Sequence, residues 1–195
     1  MFRYLFVLIF KLLGWSLEGS FEGKPPKFIV IVAPHTSNWD FPLGIMVRSI
    51  ARINGTKFLG KSQLFKFPHG FLFRSLGGYP VERTKYNNLV DAVVAIFNSK
   101  EQFSIGLAPE GTRSKVNRLK TGFYHIAKKA EVPFYLVGFD FNRKKVVINE
   151  PMYPSDNMFK DFEIIINFFA SIKAKNPELG VDKGLLELMK NELER

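Results

Sequence analysis

The apolar residues of this chain fall into two recurring patterns. Short runs rich in β-branched and aromatic residues, bounded by Gly or Pro, predict strands at 28–33 (FIVIVA), 57–60, 79–82, 103–108, 134–139 and 146–148. Between them, apolar residues spaced three and four apart predict helices. One starts near Pro42 and continues through LGIMVRSIA; others lie at 88–98, 121–130, 159–174 and 183–194. The run at 28–33 has no polar alternation, as expected of a strand buried on both faces of a parallel sheet. Strands alternating with helices predict a single α/β domain, with a largely parallel sheet flanked by helices.

The first residues follow a different pattern. Residues 1–17 (MFRYLFVLIFKLLGWSL) are apolar but interrupted by Arg3 and Lys11. The run is shorter than the roughly 20 apolar residues a bilayer span needs, and the segment after it offers only a poor small-residue cleavage site. Its aromatics and two cations favour an amphipathic helix lying in a membrane interface over one buried in the core. The turn-rich stretch 19–27 (GSFEGKPPK) separates it from the first long strand. The expected organisation is an N-terminal apolar, interfacial helix at 1–23 and an α/β domain at 24–195.

Charge narrows the partners. The formal net charge is +10, which draws the protein toward polyanions such as anionic lipid headgroups, phosphorylated substrates or nucleic acid. No Walker loop, zinc pattern or RNA-binding aromatic signature supports nucleic acid. The chain has no cysteine, which excludes disulfides and thiolate chemistry. Its 21 phenylalanines serve a core first, and an apolar cavity or face second. No motif speaks to oligomeric state.

Four segments carry candidate chemistry. In 35–40 (HTSNWD), His35 directly follows the predicted buried strand and Asp40 stands five positions on. A regular helix would rotate those side chains apart, so pairing them requires a turn, and Pro34 and Pro42 bracket a non-helical stretch. A carboxylate on one imidazole nitrogen fixes the tautomer and leaves the other nitrogen to take a proton from an alcohol. In 109–114 (PEGTRS), Gly111 lets the backbone approach a ligand, Arg113 offers a fork for phosphate, and Thr112 and Ser114 offer hydroxyls. Glu110 can orient Arg113 or contact a hydroxyl. In 77–83 (GGYPVER), a short strand delivers Arg83 into a loop. The fourth, 132–138 (VPFYLVG), is an apolar strand with nothing titratable. Lys120, just before Thr121-Gly122, is a further cation that can point at a phosphate. His69 and His125 lack a carboxylate at a persuasive spacing and are read as structural. Ser37 and Ser114 sit in no G-x-S-x-G elbow, which argues against a serine hydrolase.

In this order and spacing the four segments resemble the blocks of the glycerolipid acyltransferase family, which includes the 1-acylglycerol-3-phosphate acyltransferases. HTSNWD is similar to its HxxxxD block, GGYPVER to its Arg-bearing block, PEGTRS to its third and VPFYLVG to its Pro-containing fourth. Glu82 stands where an Asp is more usual before the Arg. The resemblance spans about 28–138. It implies that His35 is the general base and Asp40 its orienting partner. It further implies an acceptor site of Arg83, Glu110, Gly111, Thr112 and Arg113, with Lys61 nearby. The implied reaction moves a fatty acyl group from acyl-CoA or acyl-carrier protein to the hydroxyl of a lysophospholipid such as 1-acylglycerol-3-phosphate. It needs no bound cofactor, metal or covalent acyl-enzyme. The implied setting is the anionic surface on the cytoplasmic side of a membrane, held peripherally or monotopically. Another lipid acceptor, or a noncatalytic basic membrane-binding module, is the alternative.

Overall fold

The computed structural model describes residues 3–68, 70–81 and 89–194, with the backbone alone at 60–62, 64 and 81. Among these residues seven strands form one sheet: β1 (Ser16–Glu18), β2 (Lys27–Val32), β3 (Lys57–Lys61), β4 (Gly78–Val81), β5 (Phe103–Leu107), β6 (Phe134–Asp140) and β7 (Lys145–Ile148). Their order is β1-β7-β6-β2-β5-β3-β4. Every neighbouring pair is parallel except the hairpin β6–β7. The helices are α1 (Arg3–Leu12), α2 (Asp40–Ile50), α3 (Gly70–Ser75), α4 (Leu89–Asn98), α5 (Gly122–Ala130), α6 (Met158–Ala170) and α7 (Gly184–Leu193). The α/β class and the mostly parallel sheet are those expected from the sequence.

The uninterrupted apolar run of β2 is explained by its place between β6 and β5. Successive side chains point to opposite faces, and both faces are covered. Ile29, Ile31 and Ala33 pack with α4, α5, α6 and α7. Phe28 and Val30 pack with α1 and α2. Ile29 and Ile31 are fully buried, each contributing about 1.5–3 kcal/mol in area terms. All seven residues of β6 are buried for the same reason.

This topology creates a crevice. The chain leaves β2 through α2 and returns to the sheet at β3, on the far side of β5. It leaves β5 through α5 and returns at β6, on the far side of β2. The two crossovers run in opposite directions and cover opposite faces, so the loops after β2 and β5 part side by side at the carboxyl edge.

Several elements go beyond the expectations. β1 lies inside the segment read as N-terminal helix and connector, and pairs in parallel with β7. Three residues carry no legible alternation; the strand exists because an edge was open to it, with Lys145 Nζ donating to Glu18 Oε2 at 2.8 Å. The 3₁₀ turn Ser62–Phe65 and α3 were likewise not expected. Helix α6 stops at Ala170 rather than near 174. There the Lys173 amide turns to Asp140 Oδ2 (3.4 Å) and its carbonyl accepts from Phe141 (2.8 Å), which ties the segment to the end of β6. His69, Glu82 and Arg83 lie outside the described residues.

Helix α1 is ten residues long, about 15 Å. No helix among the described residues is long and apolar enough to cross a membrane. Phe10 is buried against the sheet, whereas Tyr4 and Leu12 are 80% and 77% exposed.

Candidate active site

The site is built from the loops after β2 and β5. After Val32 the chain turns through residues 33–39 and enters α2 at Asp40. The turn predicted between the two prolines is held by Asp40 itself. Its Oδ2 accepts the backbone amides of Thr36 (3.0 Å) and Ser37 (2.9 Å). The same oxygen is hydrogen-bonded to His35 Nδ1 at 2.9 Å. A carboxylate there can only accept, so Nδ1 carries the proton and Nε2 is left with a free lone pair. Asp40 is almost wholly buried at 2%, while the His35 side chain keeps 23% exposure. The pair thus has a fixed, dry orienting end and an open reacting end.

Two further contacts lock this turn. Glu110, first after the Pro that ends β5, accepts the His35 amide on Oε1 at 2.8 Å. Register explains the meeting: Ile31 pairs with Leu107, and each chain runs only a few residues further. Burial pushes the Glu110 carboxyl above the ordinary glutamate range, against the pull of the His35 amide. Glu110 Oε2 and Asp40 Oδ1 are buried without a hydrogen-bond partner. On the other side, Asn176 donates its side-chain amide to the Thr36 carbonyl (2.8 Å) and its backbone amide to Thr36 Oγ1 (3.2 Å). Sequence reasoning missed Asn176 because it lies 140 positions from its partner. It also gave no sign that Glu110 Oε1 holds the His35 backbone.

Residues 111–114 of the block face solvent, whereas Pro109 is buried beside Glu110. Gly111 has φ +66, a conformation that favours glycine, and the Lys120 side chain lies where a Cβ at 111 would be. Thr112 and Arg113 are exposed, and Thr112 Oγ1 accepts the Ser114 amide at 3.3 Å. Lys120 is thus brought against the block, its own amide bonded to Pro109 O at 2.8 Å. Lys61 ends β3, two strands from β2 at the same carboxyl edge, with only its backbone described. His125 is exposed on α5 with its ring edge-on to Tyr124, away from any carboxylate pairing. Among the described residues no group of three or more His, Asp or Glu side chains could hold a metal ion.

Behind the His35–Asp40 pair lies a cavity of about 280 Å³ between α2 and the sheet. Val30, Val32, Ile45, Phe58 and Phe139 wall it, His35 and Asp40 line it, and Arg48 and Thr56 are among its few other polar side chains. An imidazole with a free nitrogen, an apolar slot behind it and a cationic loop beside it can deprotonate a hydroxyl while holding an alkyl chain and an anion.

No curated protein sequence matches the chain. A family model described as "Acyltransferase" matches residues 22–140, which takes in β2, the His35–Asp40 turn, the 109–114 block and all of β6. By that match, over more than half its length, the chain belongs to the acyltransferase family, that of the glycerolipid and 1-acylglycerol-3-phosphate acyltransferases.

Proposed function

We propose that this acyltransferase moves a fatty acyl group from a thioester, acyl-CoA or acyl-carrier protein, to the hydroxyl of a lysophospholipid such as 1-acylglycerol-3-phosphate. The observation that carries the reading is the His35–Asp40 pair lining an apolar cavity. The acyl chain lies in the cavity and brings the thioester carbonyl to His35. The acceptor phosphate sits on the exposed loop of Gly111, Thr112 and Arg113, with Lys120 alongside, and Arg83 and Lys61 complete that site. Charge-assisted bonds to the phosphate hold the hydroxyl in reach of the base.

His35 Nε2 takes the hydroxyl proton as the oxygen attacks the thioester carbon, and Asp40 stabilises the imidazolium. When the tetrahedral intermediate collapses, the C–S bond breaks and the proton passes from Nε2 to the leaving sulfur. No acyl-enzyme forms and no metal takes part. Glu110 serves as a positioning residue for His35 rather than as an acceptor ligand.

The setting we infer is the anionic surface on the cytoplasmic side of a membrane, with the protein held peripherally or monotopically. Two exposed apolar groups support it. Tyr4, Leu5, Leu8 and Leu12 are exposed on α1, which also carries Arg3 and Lys11, and Phe67 and Phe71 are 97% and 84% exposed beside Lys66 and Arg74. Apolar side chains ringed by cations suit a lipid interface.

Release of free thiol from acyl-CoA in the presence of lysophosphatidic acid tests the reaction, with wild type and His35→Ala side by side. Acceptor-dependent release that the variant loses is the expected result. Wild-type protein inert toward acyl-CoA and acyl-carrier protein with a panel of lysolipids sinks the reading.

A further inference from the structure

Helix α2 separates two spaces. Asp40, Phe41, Gly44, Ile45 and Arg48 line the cavity that holds His35. Trp39, Pro42, Leu43 and Met46, spaced so that they share the helix's other side, line a second groove of about 340 Å³. The groove is completed by Leu13 and Trp15, which follow α1, and by Phe141, which follows β6. The Trp15 ring stands edge-on to Phe141 at 5.1 Å. The groove opens to solvent, with Trp39 66% and Leu13 51% exposed. None of the groups assigned to the reaction lines it.

Its charge is of one sign. Lys144 and Lys175 line it and no carboxylate does. Lys144 Nζ donates to the Leu13 carbonyl at 3.0 Å, and Lys175 Nζ lies 5.8 Å from the centre of the Phe141 ring. Neither ammonium is paired with a carboxylate among the described residues. The acids bonded in this region are already engaged, Asp140 with Arg143 and Glu18 with Lys145. Two ammonium groups without counter-ions beside three aromatic rings fit an amphiphile with a negative head. Leu12, 77% exposed, and Leu13 carry the apolar surface of α1 to the groove's rim, so a chain leaving the groove meets a surface suited to a lipid interface.

We propose that this groove is a second lipid site, which takes the head of one anionic phospholipid of the bilayer. The phosphate sits on Lys144 and Lys175, and the adjoining glycerol and methylenes lie between Trp39, Met46 and Phe141. The volume suits a head and the start of its chains rather than two whole acyl chains, which stay in the bilayer. The occupant is not a substrate there, because His35 lines the cavity on the other side of α2. Trp39 directly precedes Asp40, and Lys175 directly precedes Asn176, which donates to the Thr36 carbonyl. A lipid in the groove therefore rests on both segments that hold the catalytic turn and sets that turn beside the membrane.

Both tryptophans of the chain line the groove, so intrinsic fluorescence reports on it. The test titrates the intact protein with dihexanoylphosphatidylglycerol below its micelle concentration, with dihexanoylphosphatidylcholine and inorganic phosphate as the other arms. The anionic lipid should give a saturable blue shift, with affinity roughly tenfold or more above that of the zwitterionic lipid, and phosphate alone should give none. In Lys144→Gln/Lys175→Gln the affinity for the anionic lipid should fall roughly tenfold or more, with Tm unchanged. Should the loss of the Leu13 contact disturb folding, Lys175→Glu alone carries the test, and it should lose the blue shift. No response to the anionic lipid, equal affinity for the two lipids, an equal response to phosphate alone, or a folded variant with wild-type affinity overturns the proposal. No thioester is present, so the outcome does not depend on whether acyl transfer is observed.

Discussion

The Asp40 carboxylate performs two tasks with one oxygen, and two substitutions separate them. In Asp40→Ala the amides of Thr36 and Ser37 lose their acceptor and His35 Nδ1 loses its partner. An unsatisfied buried donor costs about 1–3 kcal/mol. With two amides orphaned beside a partly open ring, the loss comes to roughly 2–4 kcal/mol, on the order of 10 °C in Tm for a chain this size. In Asp40→Asn the amide oxygen can take the place of Oδ2 and accept all three bonds, which keeps the turn and the tautomer; it removes the charge and leaves an NH2 where Oδ1 is buried without a partner. An ion pair at about 4 Å is worth roughly 4 kcal/mol near a protein surface. The charge matters only once the ring becomes imidazolium, and the 23% exposure of His35 screens part of it. The expected result for D40N is therefore a fall of about 10²–10³ in kcat, on the scale of general-base help, with Tm within a few degrees of wild type. Thiol release and thermal unfolding, measured on the same preparations, read both quantities. A D40N protein with near wild-type kcat would refute the claim that the charge assists proton transfer. A D40A protein with unchanged Tm would refute the claim that the carboxylate builds the turn.

Other substitutions test the surrounding contacts. Arg113 is exposed, so Arg113→Ala should leave stability within about 0.5 kcal/mol while raising acceptor KM roughly 10–100-fold, the value of a charge-assisted bond; a change confined to donor KM would contradict its assignment. Asn176→Ala removes the amide on Thr36 O and should lower kcat several-fold with little change in KM, read by initial rates. Glu110 has its carboxyl pushed up by burial, so its contribution to stability is full below the unfolded value near 4.5 and is lost as pH rises through the higher folded value. Urea unfolding from pH 4 upward should show that loss in wild type and its absence in Glu110→Gln. Asp140 behaves oppositely: against its burial, the Arg143 and Lys173 bonds hold it below the usual range. Its contribution is present above about pH 3.8 and disappears as pH falls through the lower folded value, so Asp140→Asn should flatten the acid limb of the same titration.

Much of this architecture is legible along the chain because its signals are local. The alternation of strands and helices, the doubly buried β2 and the motif segments all follow from runs of fewer than about fifteen residues, in which period and punctuation report burial directly. The pairing of His35 with Asp40 was also foreseeable, since Pro34 and Pro42 leave a short non-helical span that a turn can close. Features set by distant partners left no such trace. β1 pairs with a strand more than 120 residues away, and Asn176 reaches Thr36 across 140. Glu110 reads as a ligand in its motif, yet its Oε1 is taken by the His35 amide, a contact created by the register of β2 against β5.

By itself, then, the sequence determined the fold class, the family and the pairing of His35 with Asp40, because each is written in local pattern or motif. Only the tertiary structure decided that Glu110 and Asn176 brace the His35 turn and that an apolar cavity lies between that turn, α2 and the sheet. A cavity is the space left between elements, and its length depends on which side chains of separate strands and helices come to face one another. No run of neighbouring residues carries that information.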